Sequence, residues 1–203
     1  AARGGRASQG GRSRSRDDRR EAGCRSRQPG ERYVETRHNL GFWVIEELAR
    51  RHAAEPPSLE CNALVSRVGQ IVLARPQTFM NRSGHAVRCL IERHGFAVED
   101  VLVVFDDVTL PLGKLRLRRA GSPGGHRGLE SVLESLGTDE VSRLRAGIRG
   151  EVAPAGEDLV ELVLAPFLDS EKEAVAALVL RAADACELWA AEGAEAAMQR
   201  FNG

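Results

Sequence analysis

Five apolar residues stand in a row, Val101, Leu102, Val103, Val104 and Phe105. A continuous apolar run of this length, without alternation, is what a strand buried on both faces looks like. Such a strand needs neighbours in a sheet and helices above and below it, so it commits the chain to a layered α/β domain.

The surrounding pattern agrees. Phe42, Val44, Ile45, Leu48 and Ala49 recur at helical spacing and predict a helix over 40–53. Residues 62–67 and 70–75 are short β-like runs around Gly69, which predicts a hairpin. Residues 81–94 read as a helix with Ala86, Val87, Leu90 and Ile91 inward. Residues 114–118 alternate basic and apolar, as in a strand with one wet, positive face. A helix over 126–136, a strand over 144–148 and helices over 170–189 and 194–201, broken at Gly193, complete the pattern. No internal repeat is visible. The expected fold is one α/β domain over residues 28–203, a twisted mixed sheet flanked by helices on both faces.

At 203 residues with 42% apolar content the chain can bury a real core without staples. No apolar run approaches 20 residues, which argues against a membrane span, and the N-terminal stretch has no signal-peptide h-region. Cys24, Cys61, Cys89 and Cys186 show no paired spacing, so neither a disulfide framework nor a zinc site is expected. They fit reduced thiols in a cytoplasm. The net charge of zero hides an asymmetry. Residues 1–27 hold nine Arg against three acids, or +6, and the rest of the chain carries −6. That first segment has no apolar periodicity and cannot offset its ordering entropy, so it is expected to be disordered. Between Asp107 and Glu130 no acid occurs, but Lys114, Arg116, Arg118, Arg119 and Arg127 do. Positive charge gathered on one face lets a net-acidic body bind a polyanion.

Three dense motifs carry the candidate chemistry, in the order Tyr33-Val-Glu-Thr-Arg37-His38-Asn39-Leu-Gly41-Phe42, Arg75-Pro-Gln-Thr-Phe79-Met80-Asn81, and Phe105-Asp106-Asp107. His38 precedes the first helix, on the kind of loop where catalytic groups collect, and an imidazole can take a proton from water at neutral pH. The competing reading is a surface or satisfied core histidine. Asp106 follows the buried strand, where sites form in open α/β sheets. It can orient His38 or merely cap a turn, and Asp107 is the other candidate. Asn81 precedes a helical run and reads either as an N-cap or as a carboxamide donor to a substrate carbonyl. Residues 121–128, Gly-Ser-Pro-Gly-Gly-His126-Arg127-Gly, open a helix with backbone N–H groups suited to phosphate. They lack the Gly-Lys-Ser/Thr ending of a nucleotide loop. Arg143 and Arg145 extend the basic surface. An imidazole, a carboxylate and a carboxamide with no evident nucleophile point to hydrolysis by activated water. A serine hydrolase is excluded, because the last histidine lies only four residues beyond Ser122.

The motifs together resemble bacterial peptidyl-tRNA hydrolases from about Pro29 to Asn202, including Ala197-Met198-Gln-Arg200-Phe201-Asn202 near the C-terminus. The resemblance implies hydrolysis of the ester joining peptide to tRNA. His38 would be the general base, Asp106 its orienter and Asn81 a substrate ligand. Tyr33, Phe79, His126 and Arg127 would contact substrate or tRNA. It implies a cytoplasmic monomer with no metal or organic cofactor. The alternative is an RNA-binding protein of the same fold that has lost catalysis. Two departures stand out. The family opens on an apolar strand ending Gly-Leu-Gly-Asn-Pro-Gly, whereas residues 25–30 read Arg-Ser-Arg-Gln28-Pro-Gly, with Gln28 at the position that discriminates blocked from free aminoacyl-tRNA. The family's Gly-Gly-His-Asn reads Gly-Gly-His126-Arg127, and arginine cannot accept hydrogen bonds as asparagine does. One codon choice for residues 25–29, CGG-TCT-CGG-CAA-CCC, spells Gly-Leu-Gly-Asn-Pro when read one base later. The expectation is that residues before about Gly30 are an aberrant, out-of-frame reading of that strand, which the encoding DNA decides.

Overall fold

The computed structural model of the protein describes residues 36–150 and 159–203. The Arg-rich segment 1–27, Gln28 and Tyr33 lie outside the described residues.

The apolar run becomes β4 (Leu102–Pro111), which pairs in parallel with β6 (Ser142–Arg149). β5 (Leu115–Arg118) pairs with β6 from the other side, antiparallel, giving a mixed sheet in the order β4-β6-β5. Two parallel strands need a crossover, and α3 (Arg127–Leu136) supplies it on one face. Leu129 and Leu133 of α3 pack there with Phe105 and Val141. The opposite face carries α1 (Leu40–Arg51), α5 (Lys172–Glu192) and α6 (Ala194–Phe201), whose Leu40, Val44, Leu178 and Phe201 enclose Leu117, Leu144 and Ile148. Helices therefore cover both faces, as the sequence predicts. Among the described residues no helix is long and apolar enough to cross a membrane.

A second sheet is antiparallel, β1 (Ser58–Glu60), β2 (Ala63–Val68) and β3 (Ile71–Pro76). It rests on α2 (Ser83–His94) through Ala63, Val65, Ala86 and Leu90. The β2–β3 hairpin turns at Gly69 as expected. β1 and the six-residue α4 (Leu159–Leu164) are not predicted, because elements this short show no usable period. At the far end, the Asn202 carboxamide accepts from the Leu117 N–H (2.6 Å) and donates to the Leu117 carbonyl (3.0 Å). It thus ties the C-terminus to β5 much as a neighbouring strand would.

Two expectations need correction. The run at 101–104 is only half-buried, because among the described residues β4 has a strand partner on one edge alone. Nor are all the cysteines free: Cys61 and Cys89 are bonded, with Cα atoms 5.7 Å apart, and among the described residues only Cys186 is a free, buried thiol. The sequence hides this pair because its 28-residue separation spans a hairpin and most of α2. Cys61 and Asn62 form the two-residue β1–β2 turn with φ of 51° and 57°, the left-handed geometry such turns require. The bond holds that turn on α2. Closing a loop of this length removes unfolded-state entropy worth roughly 3.5 kcal/mol. Dithiothreitol or Cys89→Ala is therefore expected to lower the unfolding free energy by about 2–4 kcal/mol in urea titrations. An unchanged midpoint would refute the clip.

Candidate active site

Gly41 decides where the site begins. A Cβ there would collide with the Val104 carbonyl, so the first turn of α1 lies directly against β4. The 3₁₀ turn Arg37–Asn39 precedes it and brings His38 to the Asp106 carboxylate. His38 Nδ1 lies 2.8 Å from Asp106 Oδ1. An ionised carboxylate only accepts, so Nδ1 carries the proton and Nε2 keeps its lone pair.

A second imidazole shares the same oxygen. His126 is the N-cap of α3, and its Nδ1 accepts the Leu129 N–H at 3.1 Å. Its proton therefore sits on Nε2, 3.4 Å from Asp106 Oδ1. That separation is long and badly aligned for a hydrogen bond, since His126 Nε2 has no bonded partner among the described residues. It acts on the carboxylate as a nearby dipole, whereas the His38 contact is the directional bond. The two rings lie 5.3 Å apart, and Phe105 packs 4.5 Å from His126. The sequence places His126 with the substrate and misses its contact with Asp106. The available signal was its position, an acceptor side chain opening a helix.

Asp106 is 3% exposed. Burial alone pushes its carboxyl up, but the His126 and His38 rings facing it outweigh that and bring it down to about 2. Asp107 points to the other side of the strand and is fully occupied. Its Oδ1 accepts the Thr109 N–H (2.8 Å) and hydroxyl (2.7 Å), and Oδ2 pairs with Arg145. Burial works against its ionised form too, yet these partners hold the carboxyl below its ordinary range. The structure thus answers which aspartate meets His38.

The cluster His38, Asp106 and His126 brings three potential ligand atoms within 4.8 Å of one another. A metal needs an unprotonated nitrogen, and the Leu129 cap keeps the His126 proton on the nitrogen that faces Asp106. The cap thus withholds one of the three ligand atoms.

These side chains line an open groove of about 1790 Å³, whose other walls include Leu59, Phe79, Arg118 and Leu164. Phe79 is 65% exposed. Asn81 does not line that groove. It is exposed in the 3₁₀ turn Met80–Arg82, caps neither helix, and borders a smaller cleft with Phe79 and Arg127. Arg127 is exposed at the first position of α3.

The basic surface is narrower than the sequence suggests. Arg143 is 2% exposed, its guanidinium consumed by the carbonyls of Gly121, Ser122, Asp139 and Val141. It braces the glycine-rich loop and faces no solvent. Arg145 is paired with Asp107, and Arg119 with Glu195 at 2.5 Å. Arg116 and Arg118 stand opposite Arg145 and Arg143 across the β5–β6 ladder, exposed and without an acidic partner among the described residues.

Residues 28–203 match the family model described as peptidyl-tRNA hydrolase. A peptidyl-tRNA hydrolase of Methylacidiphilum infernorum is 42% identical over 175 residues, 86% of this chain and 93% of the relative. One of Geobacillus kaustophilus is 44% identical over 163 residues, covering 78% and 87%. The crystal structure of peptidyl-tRNA hydrolase from Acinetobacter baumannii superposes with a TM-score of 0.78 at 28% identity, covering 86% of this chain and 90% of that one.

The balance at Asp106 can be tested directly. Carboxyl-carbon NMR should find it ionised down to about pH 2. Replacing both histidines leaves burial as the chief influence, so in His38→Ala/His126→Ala the carboxyl should titrate above its ordinary value near 3.9. An unmoved titration would show that the rings do not control it.

Proposed function

The chain belongs to the peptidyl-tRNA hydrolase family, and we propose that His38 is its general base, Asp106 the group that orients it, and the basic groove the seat of the RNA end. It is a hydrolase of the ester bond of peptidyl-tRNA, releasing free tRNA and peptide and so returning tRNA to translation.

The observation that carries the catalytic assignment is the 2.8 Å contact between His38 Nδ1 and the buried Asp106. It leaves the His38 Nε2 lone pair free to take a proton from water. The hydroxide formed attacks the ester carbonyl, and Asp106 stabilises the imidazolium meanwhile. When the carbon–oxygen bond breaks, the ribose oxygen leaves with the proton that His38 took. Every atom is accounted for by water and ester alone. An assembled base–orienter pair, its carboxylate buried, favours this enzyme over a same-fold RNA binder that has lost catalysis.

Around the pair we assign binding roles. Phe79 offers a ring face on which a base of the acceptor end can stack. Asn81 and Arg127 share the adjoining cleft of about 380 Å³ with Phe79, which supports a substrate-holding role. The cleft that holds Asn81 shares Phe79, Met80 and Arg127 with the groove beside His38, so its exposed carboxamide also keeps the role of donor to the substrate carbonyl. Arg127 puts a cation at a helix N-terminus, where the macrodipole disfavours it by about 0.3–1 kcal/mol. A phosphate there would satisfy both. Tyr33 keeps the contact role that the family resemblance gives it, Gln28 occupies the discrimination position with a residue that departs from the family, and His126 adds a place beside the groove. We take the protein to act as a metal-free monomer in the cytoplasm, where its substrate arises.

Release of tRNA from N-acetyl-aminoacyl-tRNA, with the unblocked form as control, tests the reading. His38→Ala should lower turnover at least ~10²-fold while leaving tRNA affinity nearly intact. Hydrolysis at the wild-type rate would refute the base. For the RNA surface, Arg116→Ala/Arg118→Ala should reduce the slope of log affinity against log salt by roughly 1.5 and leave saturated turnover alone. An unchanged slope would place the phosphates elsewhere.

A further inference from the structure

A general base must be held closely, yet His38 sits in a three-residue 3₁₀ turn whose own bonds are Asn39 N–H to the Thr36 carbonyl at 3.0 Å and Leu40 N–H to the Arg37 carbonyl. The neighbour of His38 supplies what the turn lacks. Arg37 is buried, and its guanidinium reaches three parts of the chain at once. Nη1 donates to the Ile148 carbonyl at the end of β6 (2.9 Å). Nη1 and Nη2 donate to the two oxygens of Glu171 (3.2 and 2.6 Å), a bidentate fork across 134 positions of sequence. The guanidinium carbon also lies 4.4 Å over the centroid of the Phe167 ring. The backbone repeats the connection: Arg37 N–H donates to the Ala165 carbonyl (3.1 Å), and Thr36 bridges Pro166.

Glu171 is itself fixed before Arg37 meets it. Its Oε2 accepts the Leu168 N–H at 2.8 Å, closing the turn Asp169–Glu171. The carboxylate also lies so close to Gly150 that a Cβ there would collide with it. The receptor for Arg37 is therefore preformed. Meanwhile Arg37 Nε is buried with no partner among the described residues, a loss that a shorter or apolar side chain would avoid. Arginine here is an expensive way to gain stability and a good way to fix geometry. The same segment continues from Val163 and Leu164, which line the groove.

We propose that Arg37, gripped by Glu171, Ile148 and Phe167, is a positioning residue for ester hydrolysis. It sets the depth and rotation of the 37–39 turn so that His38 meets Asp106, and it keeps the 163–164 wall in register with that base. The inference rests on His38 being the base.

The test compares Arg37→Lys, Glu171→Gln and His38→Ala on N-acetyl-aminoacyl-tRNA, with circular dichroism as the folding check. Arg37→Lys keeps the charge but loses the planar fork. A displacement near 1 Å can cost about 10²-fold in rate, so its kcat should fall by about that factor with KM within about twofold of wild type. Glu171→Gln keeps the shape and weakens a charge-assisted bond, so kcat should fall about tenfold. The proton NMR signal of His38 Nδ1–H, which reports its bond to Asp106, should move or vanish in both. A folded Arg37→Lys or Glu171→Gln with wild-type kcat and an unmoved signal overturns the proposal. So does a loss of rate that merely follows the unfolded fraction as temperature is raised. Should Arg37→Lys fail to fold, Glu171→Gln decides alone. An inactive His38→Ala beside fully active Arg37 and Glu171 variants sinks only the positioning role, whereas an active His38→Ala removes the base and this inference together.

Discussion

Burying an ionised carboxylate costs several kcal/mol unless donors face it, and Asp106 at 3% exposure is such a group. Much of the site follows from satisfying it. One donor comes from the turn before α1 and a weaker one from the residue that opens α3. Those two elements lie on opposite faces of β4, so the carboxylate draws both helix layers to a single point of the sheet. His126 can serve only because its other nitrogen is already committed to capping α3. His38 can act as a base only because its donor nitrogen is the one turned inward. Each imidazole has one nitrogen spoken for by the fold, and the difference between them is which one.

Arginine is used in two ways that composition does not separate. Arg37, Arg143 and Arg145 are spent inside: one grips Glu171, one braces the glycine-rich loop, one neutralises Asp107. Arg116 and Arg118 lie across the ladder from two of them. Like charges facing each other across strands are destabilising. The inner pair is therefore compensated by carbonyls and a carboxylate, which leaves the outer pair as open positive charge on that sheet face. A polyanion is the natural partner of charge left open in this way.

The long periodic segments were legible. Helices over 40–53, 126–136 and 194–201, the hairpin at Gly69 and the basic-faced strand at 114–118 all appear where hydrophobic spacing puts them. The His38–Asp106 pair was legible through the motifs, and geometry then chose between Asp106 and Asp107 by strand alternation. What the sequence concealed depended on distance along the chain or on how buried a charge would be. The Cys61–Cys89 bond joins a hairpin turn to a helix. Arg143 reads as one more surface arginine until β6 buries it. Arg37 reads as part of the His38 motif, and Glu171 as an ordinary acid in a charged stretch. Asn81 was read from its neighbours in sequence, and the 3₁₀ turn Met80–Arg82 sets it in a cleft that adjoins the main groove.

Two clamps of different kind therefore hold the base. On its C-terminal side the constraint is steric: Leu40 is fully buried and Gly41 abuts the Val104 carbonyl, so the turn cannot lift from the sheet. On its N-terminal side the constraint is ionic and comes from the far end of the chain. A short 3₁₀ turn between them has poor hydrogen-bond geometry of its own and little stiffness to offer. Rigidity at His38 is thus imported, and the segment of residues 163–171 that supplies it also shapes a wall of the groove. A chain that kept the imidazole and the carboxylate but lost either clamp would retain the chemistry in name while letting its reacting atoms drift apart.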